Sequence, residues 1–159
     1  MGIYRLTTTH TTTLDATLAE VWRVLKDREA QVEHDARIAR IDMVSGAWGE
    51  AGSRYVVSAR MPDGSVATAE QQLVAVDEPS SYTTRMAFPD GETTSTHAFR
   101  EVTGGVEWTV TQEVCTRPLR WLEHAALLMT QRRRHREATA DHARDVDAMR
   151  AVLAAMPHL

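Results

Sequence analysis

The chain has 159 residues, 43% of them apolar and 25% charged, with a formal net charge of −4, the proportions of an ordinary globular domain that can bury a core without staples. The mild acidity argues against a general nucleic-acid or anionic-membrane binder. The lone Cys115 excludes an internal disulfide, Met1-Gly2-Ile3-Tyr4-Arg5 lacks a signal-peptide pattern, and no stretch approaches the roughly 20 apolar residues of a membrane span; the expectation is one cytoplasmic domain over residues 1–159.

Residues 3–14 are rich in β-branched Thr, with Ile3, Tyr4, Leu6 and Leu14 as apolar members, and predict a strand. Thr17-Leu18-Ala19-Glu20 is a capping box, and Leu18, Val21, Trp22 and Leu25 follow at helical spacing, so a short helix is predicted over 18–26. A second short helix is predicted over 29–35. A run of hairpins follows, with strands near 38–45, 55–61, 66–76, 82–88, 93–102 and 106–116. They are separated by Gly46 to Gly52, Pro62-Asp63-Gly64, Asp77-Glu78-Pro79, Pro89-Asp90-Gly91 and Thr103-Gly104-Gly105. From Pro118 to about Ala155 no internal Gly or Pro interrupts the chain. That predicts one helix of roughly 38 residues, on the order of 57 Å at about 1.5 Å per residue.

The order is thus strand, two short helices, about six strands, one long helix. With it come three turn phrases: Gly46-x-x-Gly49-x-x-Gly52-Ser53, Val76-Asp77-Glu78-Pro79 and Gly104-Gly105-Val106-Glu107-Trp108-Thr109. Over nearly its whole length the chain resembles the START-like, or SRPBCC, superfamily. This is the helix-grip group of Bet v 1-type allergens, polyketide cyclases/aromatases and lipid carriers. The resemblance implies an α+β fold, a curved antiparallel sheet of about seven strands wrapped around the long C-terminal helix. It also implies an apolar ligand held between sheet and helix.

Alternation along strands assigns faces. Trp108 and Val110 bring Val106, Gln112 and Val114 to their face; Phe99 brings His97 and Ser95; Tyr82, Met86 and Phe88 bring Thr84; Tyr55 brings Val57 and Ala59. If these faces are concave, the inward polar groups are Tyr55, Tyr82, Thr84, His97 and Gln112. A slip of one residue would exchange them for Arg54, Arg60, Arg85, Arg100 and Thr109. On the long helix, Leu122, Ala125, Leu128 and Met129 begin an apolar stripe that resumes at Val146, Met149, Val152, Leu153 and Met156. Extending it across the polar middle puts Arg132, His135, Thr139 and His142 on or beside the buried face.

His97 is a candidate acid/base group, because imidazole titrates near neutrality; its bland counterpart is a strand histidine satisfied by neighbours. His135 and His142 share a helix face but lack the H-x-x-x-H spacing of a metal pair, so no metal is expected. His10 and His34 read as surface or edge residues. The arginine run 132–136 could hold a carboxylate, a phosphate or an acyl-carrier protein. Pairs such as Arg133–Glu137, and Asp141 with Arg144 and Asp145 nearby, favour a solvated face over that reading. Trp108, Trp121 and Trp48 could wall a planar ligand, with Trp22 in the core; Glu70 and Gln72 are expected outside, and Cys115 as a small buried residue. No nucleophile elbow, P-loop or dinucleotide fingerprint is present, and no cofactor is expected.

The functional expectation is a pocket for a hydrophobic, aromatic or polyketide-like molecule. Its enzymatic form is cofactor-independent aldol cyclisation or dehydration, in which a folded poly-carbonyl chain gains rate by proximity. Arg132 and Tyr55 would polarise a carbonyl and His97 would move the proton. Trp108, Phe99, Met86 and Met129 would form walls, with Tyr82, Gln112 and His135 also touching ligand. The alternatives are a non-enzymatic carrier or sensor of a lipid or hydrophobic metabolite, and an interaction module with a filled interior. The chain is expected to act as a monomer or homodimer.

Overall fold

The computed structural model describes residues 3–118 and 120–157. In chain order the elements are β1 (Arg5–Leu14), α1 (Leu18–Lys26), α2 (Arg28–His34), β2 (Ile38–Ser45), β3 (Arg54–Arg60), β4 (Val66–Asp77), β5 (Ser81–Phe88), β6 (Gly91–Val102), β7 (Gly105–Thr116) and α3 (Trp121–Ala155). All seven strands form one sheet in the order β1-β7-β6-β5-β4-β3-β2, and every pairing is antiparallel. This is the helix-grip fold that the element order predicts. The long helix begins at Trp121, after an N-cap at Arg120, and not at Pro118.

Local chemistry sets the boundaries. The α1 capping box forms as its sequence dictates: Glu20 N donates to Thr17 Oγ1 at 3.2 Å, and Thr17 N donates to Glu20 Oε2 at 2.8 Å. Asp27 ends α1 and caps α2 by accepting from Ala30 N at 2.9 Å. At the start of β7, Gly105 has φ +143°, and a Cβ there would sit 2.0 Å from the Leu14 carbonyl oxygen. Only glycine lets β7 come this close to the end of β1, where Leu14 and Val106 pair and are both fully buried.

The concave face of the sheet looks toward α1, α2 and the second half of α3. There Val146, Met149 and Val152 pack with Val21, Trp22, Val24, Phe99, Val106 and Trp108 in the main core. A smaller cluster of Ile41, Tyr55 and Leu73 sits under β2–β4. The first half of α3 differs from its expected phase. Leu122, Leu128 and Met129 are 62%, 51% and 86% exposed. Further along, the half-buried positions are Gln131, Ala138 and His142, while Arg132, His135 and Thr139 face solvent. His142 is inward as expected, but further back the stripe runs one residue earlier, because the 7-residue spacing of Arg132, Thr139 and Val146 drifts against 3.6 residues per turn. Among the described residues, no helix is long and apolar enough to cross a membrane.

Candidate functional site

Between the concave face and α3 lies a cavity of about 880 Å³, well inside the range of small-molecule sites. The floor comes from β3–β7, through Tyr55, Val57, Leu73, Tyr82, His97 and Trp108. The roof is Ala148, Met149 and Val152 of α3, and Trp22, Val24 and Trp48 close one end. Arg60, Met61 and Pro62 of the β3–β4 turn, together with Asp141 and Arg144 of α3, border it elsewhere. The alternate strand register is thereby excluded. Arg54 bonds Glu70, Arg85 bonds Gln72 at 2.8 Å, and Arg100 bonds Glu107 at 2.7 Å, all among exposed side chains.

Tyr55, Tyr82 and His97 on the floor of this space are held neutral. Trp108, 3% exposed, donates from Nε1 to His97 Nδ1 at 3.2 Å. An indole nitrogen can only donate, so His97 carries its proton on Nε2 and offers it as a donor. Burial pushes the His97 pKa down from 6.5 to about 4, with a smaller push from His142. Tyr82 pairs with His97 across β5 and β6 and stacks on it, rings 4.4 Å apart and 7° from parallel. Desolvation drives the Tyr82 phenol far above its usual range, and pushes Tyr55 up to about 12. Tyr55 donates weakly to Gln71 Oε1 at 3.4 Å, while the Tyr82 hydroxyl has no hydrogen-bond partner among the described residues. Tyr55, Tyr82 and His97 are therefore hydrogen-bond donors near pH 7, and none of them carries charge.

Charge lies at the border of the cavity, where Lys26, Arg60, Asp141 and Arg144 stand, and in one paired network. Arg37 donates from Nε and Nη2 to the two carboxylate oxygens of buried Asp35, at 3.1 and 2.9 Å. Its Nη1 reaches Asp145 of α3 at 2.7 Å. The two carboxylates outweigh the cost of burying the guanidinium and hold its pKa above normal. This triad ties the α2–β2 connection to the long helix beside the cavity. A second tie joins His10 of β1 to His142 of α3, rings stacked at 4.9 Å, with Trp108 5.8 Å from His142. His10 Nε2 and both His142 ring nitrogens are buried without a partner. Desolvation lowers the His142 pKa; His10 pushes the same way and Asp145 opposes it.

Of the residues singled out from sequence, Tyr55, Tyr82, His97 and Trp108 meet at the cavity. Phe99 packs behind them, its ring 6.1 Å from both Tyr82 and Trp108. Met86 and Gln112 are half-buried on the same face, beyond the cavity lining. Met129, Arg132 and His135 are not brought to the site, since the phase of α3 turns them outward. His10 lies on an edge strand, as expected, with its half-buried imidazole turned against α3. Cys115 is half-buried, not buried, because it sits on the face of β7 opposite Trp108. Trp48 does wall the cavity, edge-on to Tyr55 at 4.9 Å; the side chain of Trp121 lies outside the described residues. Arg133–Glu137 and Arg144–Asp141 are exposed pairs, as a solvated face requires.

Sequence reasoning missed Arg37, Asp35 and Asp145. Asp145 read as one of several exposed helix charges, yet it precedes Val146 on the inward stripe, and that adjacency was the available signal. Arg37 stands two residues after Asp35, which signals that pair alone; its other partner, Asp145, lies 108 residues away.

The family model for polyketide cyclase / dehydrase and lipid transport matches residues 5–147. No curated protein matches the sequence. Among solved structures, the chain superposes on protein SA2116 from Staphylococcus aureus, of unknown function, with TM-score 0.79 and 11% identity over 96% of both chains. It superposes on Ara h 8.0201 with TM-score 0.65 and 17% identity, covering 96% of this chain and 97% of that one. For the di-domain ARO/CYC StfQ of the steffimycin biosynthetic pathway the TM-score is 0.72 at 12% identity, covering 94% of this chain and 51% of that one, so this chain spans about half of StfQ. At such identities the superpositions speak for the fold, and the family match speaks for descent: the chain belongs to the polyketide cyclase / dehydrase and lipid transport family.

Proposed function

We propose that the protein binds a hydrophobic, carbonyl-bearing small molecule in the cavity between the sheet and α3. The observation that carries this is the pairing of an apolar, aromatic-walled space of about 880 Å³ with three uncharged donors. On the cavity floor a ligand carboxylate or ammonium would be poorly served, since burying an unpaired charge costs far more than burying a neutral polar group. A carbonyl accepts from Tyr82 Oη and His97 Nε2 without any charge being desolvated.

The finer reading is cyclisation or dehydration of a polyketide-like chain. The cavity would hold the chain folded, so that proximity supplies most of the acceleration, while Tyr82, Tyr55 and His97 polarise a carbonyl. With His97 neutral and its Nδ1 occupied by Trp108, its part in this chemistry is donation from Nε2 and not general-base catalysis. One observation favours the carrier alternative: none of the three donors has a pKa near 7, where proton transfer is most efficient.

Titration with a hydrophobic fluorescent dye tests the site. Ala59→Trp, which fills the space from β3, is expected to abolish binding, and Tyr82→Phe to weaken a carbonyl-bearing ligand about fivefold or more, the worth of one hydrogen bond. Unchanged binding in Ala59→Trp would place the ligand elsewhere. Turnover of a poly-β-carbonyl substrate analogue by the wild type, lost in Tyr82→Phe, separates the enzyme from the carrier.

A further inference from the structure

We propose that the end of the molecule formed by the start of α3 and the β3–β4 turn docks on an anionic lipid surface. This goes beyond the cavity reading and does not depend on it. Leu122, Ala126 and Met129 stand at i, i+4 and i+7 and line one outward face of α3, and all three are exposed. Arg133 and Arg136 continue the same face. At about 1.5 Å per residue, Arg133 lies roughly 6 Å and Arg136 roughly 10 Å along the axis from Met129. Apolar side chains of interfacial helices sink about 5–10 Å into the headgroup boundary. With the first turns of α3 inserted, the arginines sit at the level of the phosphates.

The sheet brings further apolar groups to this end. The pairings Arg60↔Val66, Phe88↔Gly91, Gly91↔Thr116 and Arg5↔Cys115 gather the β3–β4 turn, the start of β1 and the approach to α3 at one side. Ile3, Met61 and Val66 are exposed there, and Met61 also borders the cavity. A hydrophobic guest could thus pass between bilayer and cavity without crossing water.

Charge selects the partner. Arg132, Arg134 and Arg136 make no ion pair among the described residues, and Arg133 has only the exposed pair with Glu137, worth little. The chain as a whole carries −4, which opposes an anionic surface, so the basic cluster alone supplies the attraction and fixes which end approaches. A protein partner typically meets an apolar centre ringed by a polar rim. Here apolar and basic residues are stacked in series along the axis, the layering of a lipid interface.

The test is co-sedimentation of the full chain with vesicles of phosphatidylcholine alone or with 30% phosphatidylglycerol. Binding is expected only to the anionic vesicles and to fall steeply at 0.5 M salt. Each arginine removed should weaken it about fivefold, so Arg133→Gln/Arg134→Gln/Arg136→Gln should lose roughly 100-fold; Met129→Asp should also reduce it, with thermal unfolding unchanged in both variants. No binding to anionic vesicles at low salt overturns the proposal, as does binding that ignores both variants. A dimer in solution that Met129→Asp splits overturns it too, by assigning the face to a second copy. Retention of a ligand by the wild type with no vesicle binding would sink this docking alone and leave the cavity reading standing.

Discussion

Acidification is expected to destabilise the fold through His97, by an amount its burial sets. An unfolded imidazole titrates near 6.5, and folded His97 near 4. As pH falls below 6.5 the unfolded chain takes up a proton that the folded chain refuses. Stability present above 6.5 is therefore lost progressively down to about 4. Integrating that difference between pH 7 and pH 5 gives a loss of about 2 kcal/mol. His142, also held low by desolvation, adds to the loss in the same direction. Asp63 and Glu78, whose pKa values are lowered, stay ionised in both states over this window and contribute little. Urea unfolding followed by tryptophan fluorescence at pH 7, 6 and 5 reads the effect. His97→Gln keeps an acceptor for the Trp108 indole and removes the titrating group, so it should recover most of the loss. A urea midpoint independent of pH in the wild type, or an equal loss in His97→Gln, would show that His97 is not the titrating group. An NMR titration placing the His97 pKa near 6.5 would likewise take the effect away from His97.

Arg37→Met should cost about 3 kcal/mol, because buried Asp35 is left without its guanidinium. Asp145→Asn should cost less than about 1 kcal/mol, since that pair is well exposed to solvent; comparing their urea midpoints checks both. Gly105→Ala should cost more than about 1 kcal/mol, since its Cβ would meet the Leu14 carbonyl and the backbone is already left-handed; thermal unfolding reads it. Thr17→Ala should lose about 1 kcal/mol with the α1 cap and leave ligand binding intact.

The fold was legible because its signals are local. The Thr17–Glu20 box, the glycine turns and the alternation of β6 and β7 each follow from neighbouring residues, and together they admit one topology. The strand-borne part of the site was legible for the same reason: once Trp108 and Phe99 face inward, His97 must follow. The helix-borne part failed through phase. Arg132 and His135 were placed by extending periodicity across turns with no apolar residue to anchor it. The reach of Arg37 to Asp145 and the stacking of His10 on His142 depend on contacts between distant segments, which no spacing within one segment encodes.

Native mass spectrometry of freshly purified protein tests the cavity most directly. The expected result is a chain carrying a co-purified hydrophobic mass that is lost in Ala59→Trp. A bare wild-type chain that also fails to retain any added hydrophobic carbonyl compound would contradict a binding role for the space between sheet and helix.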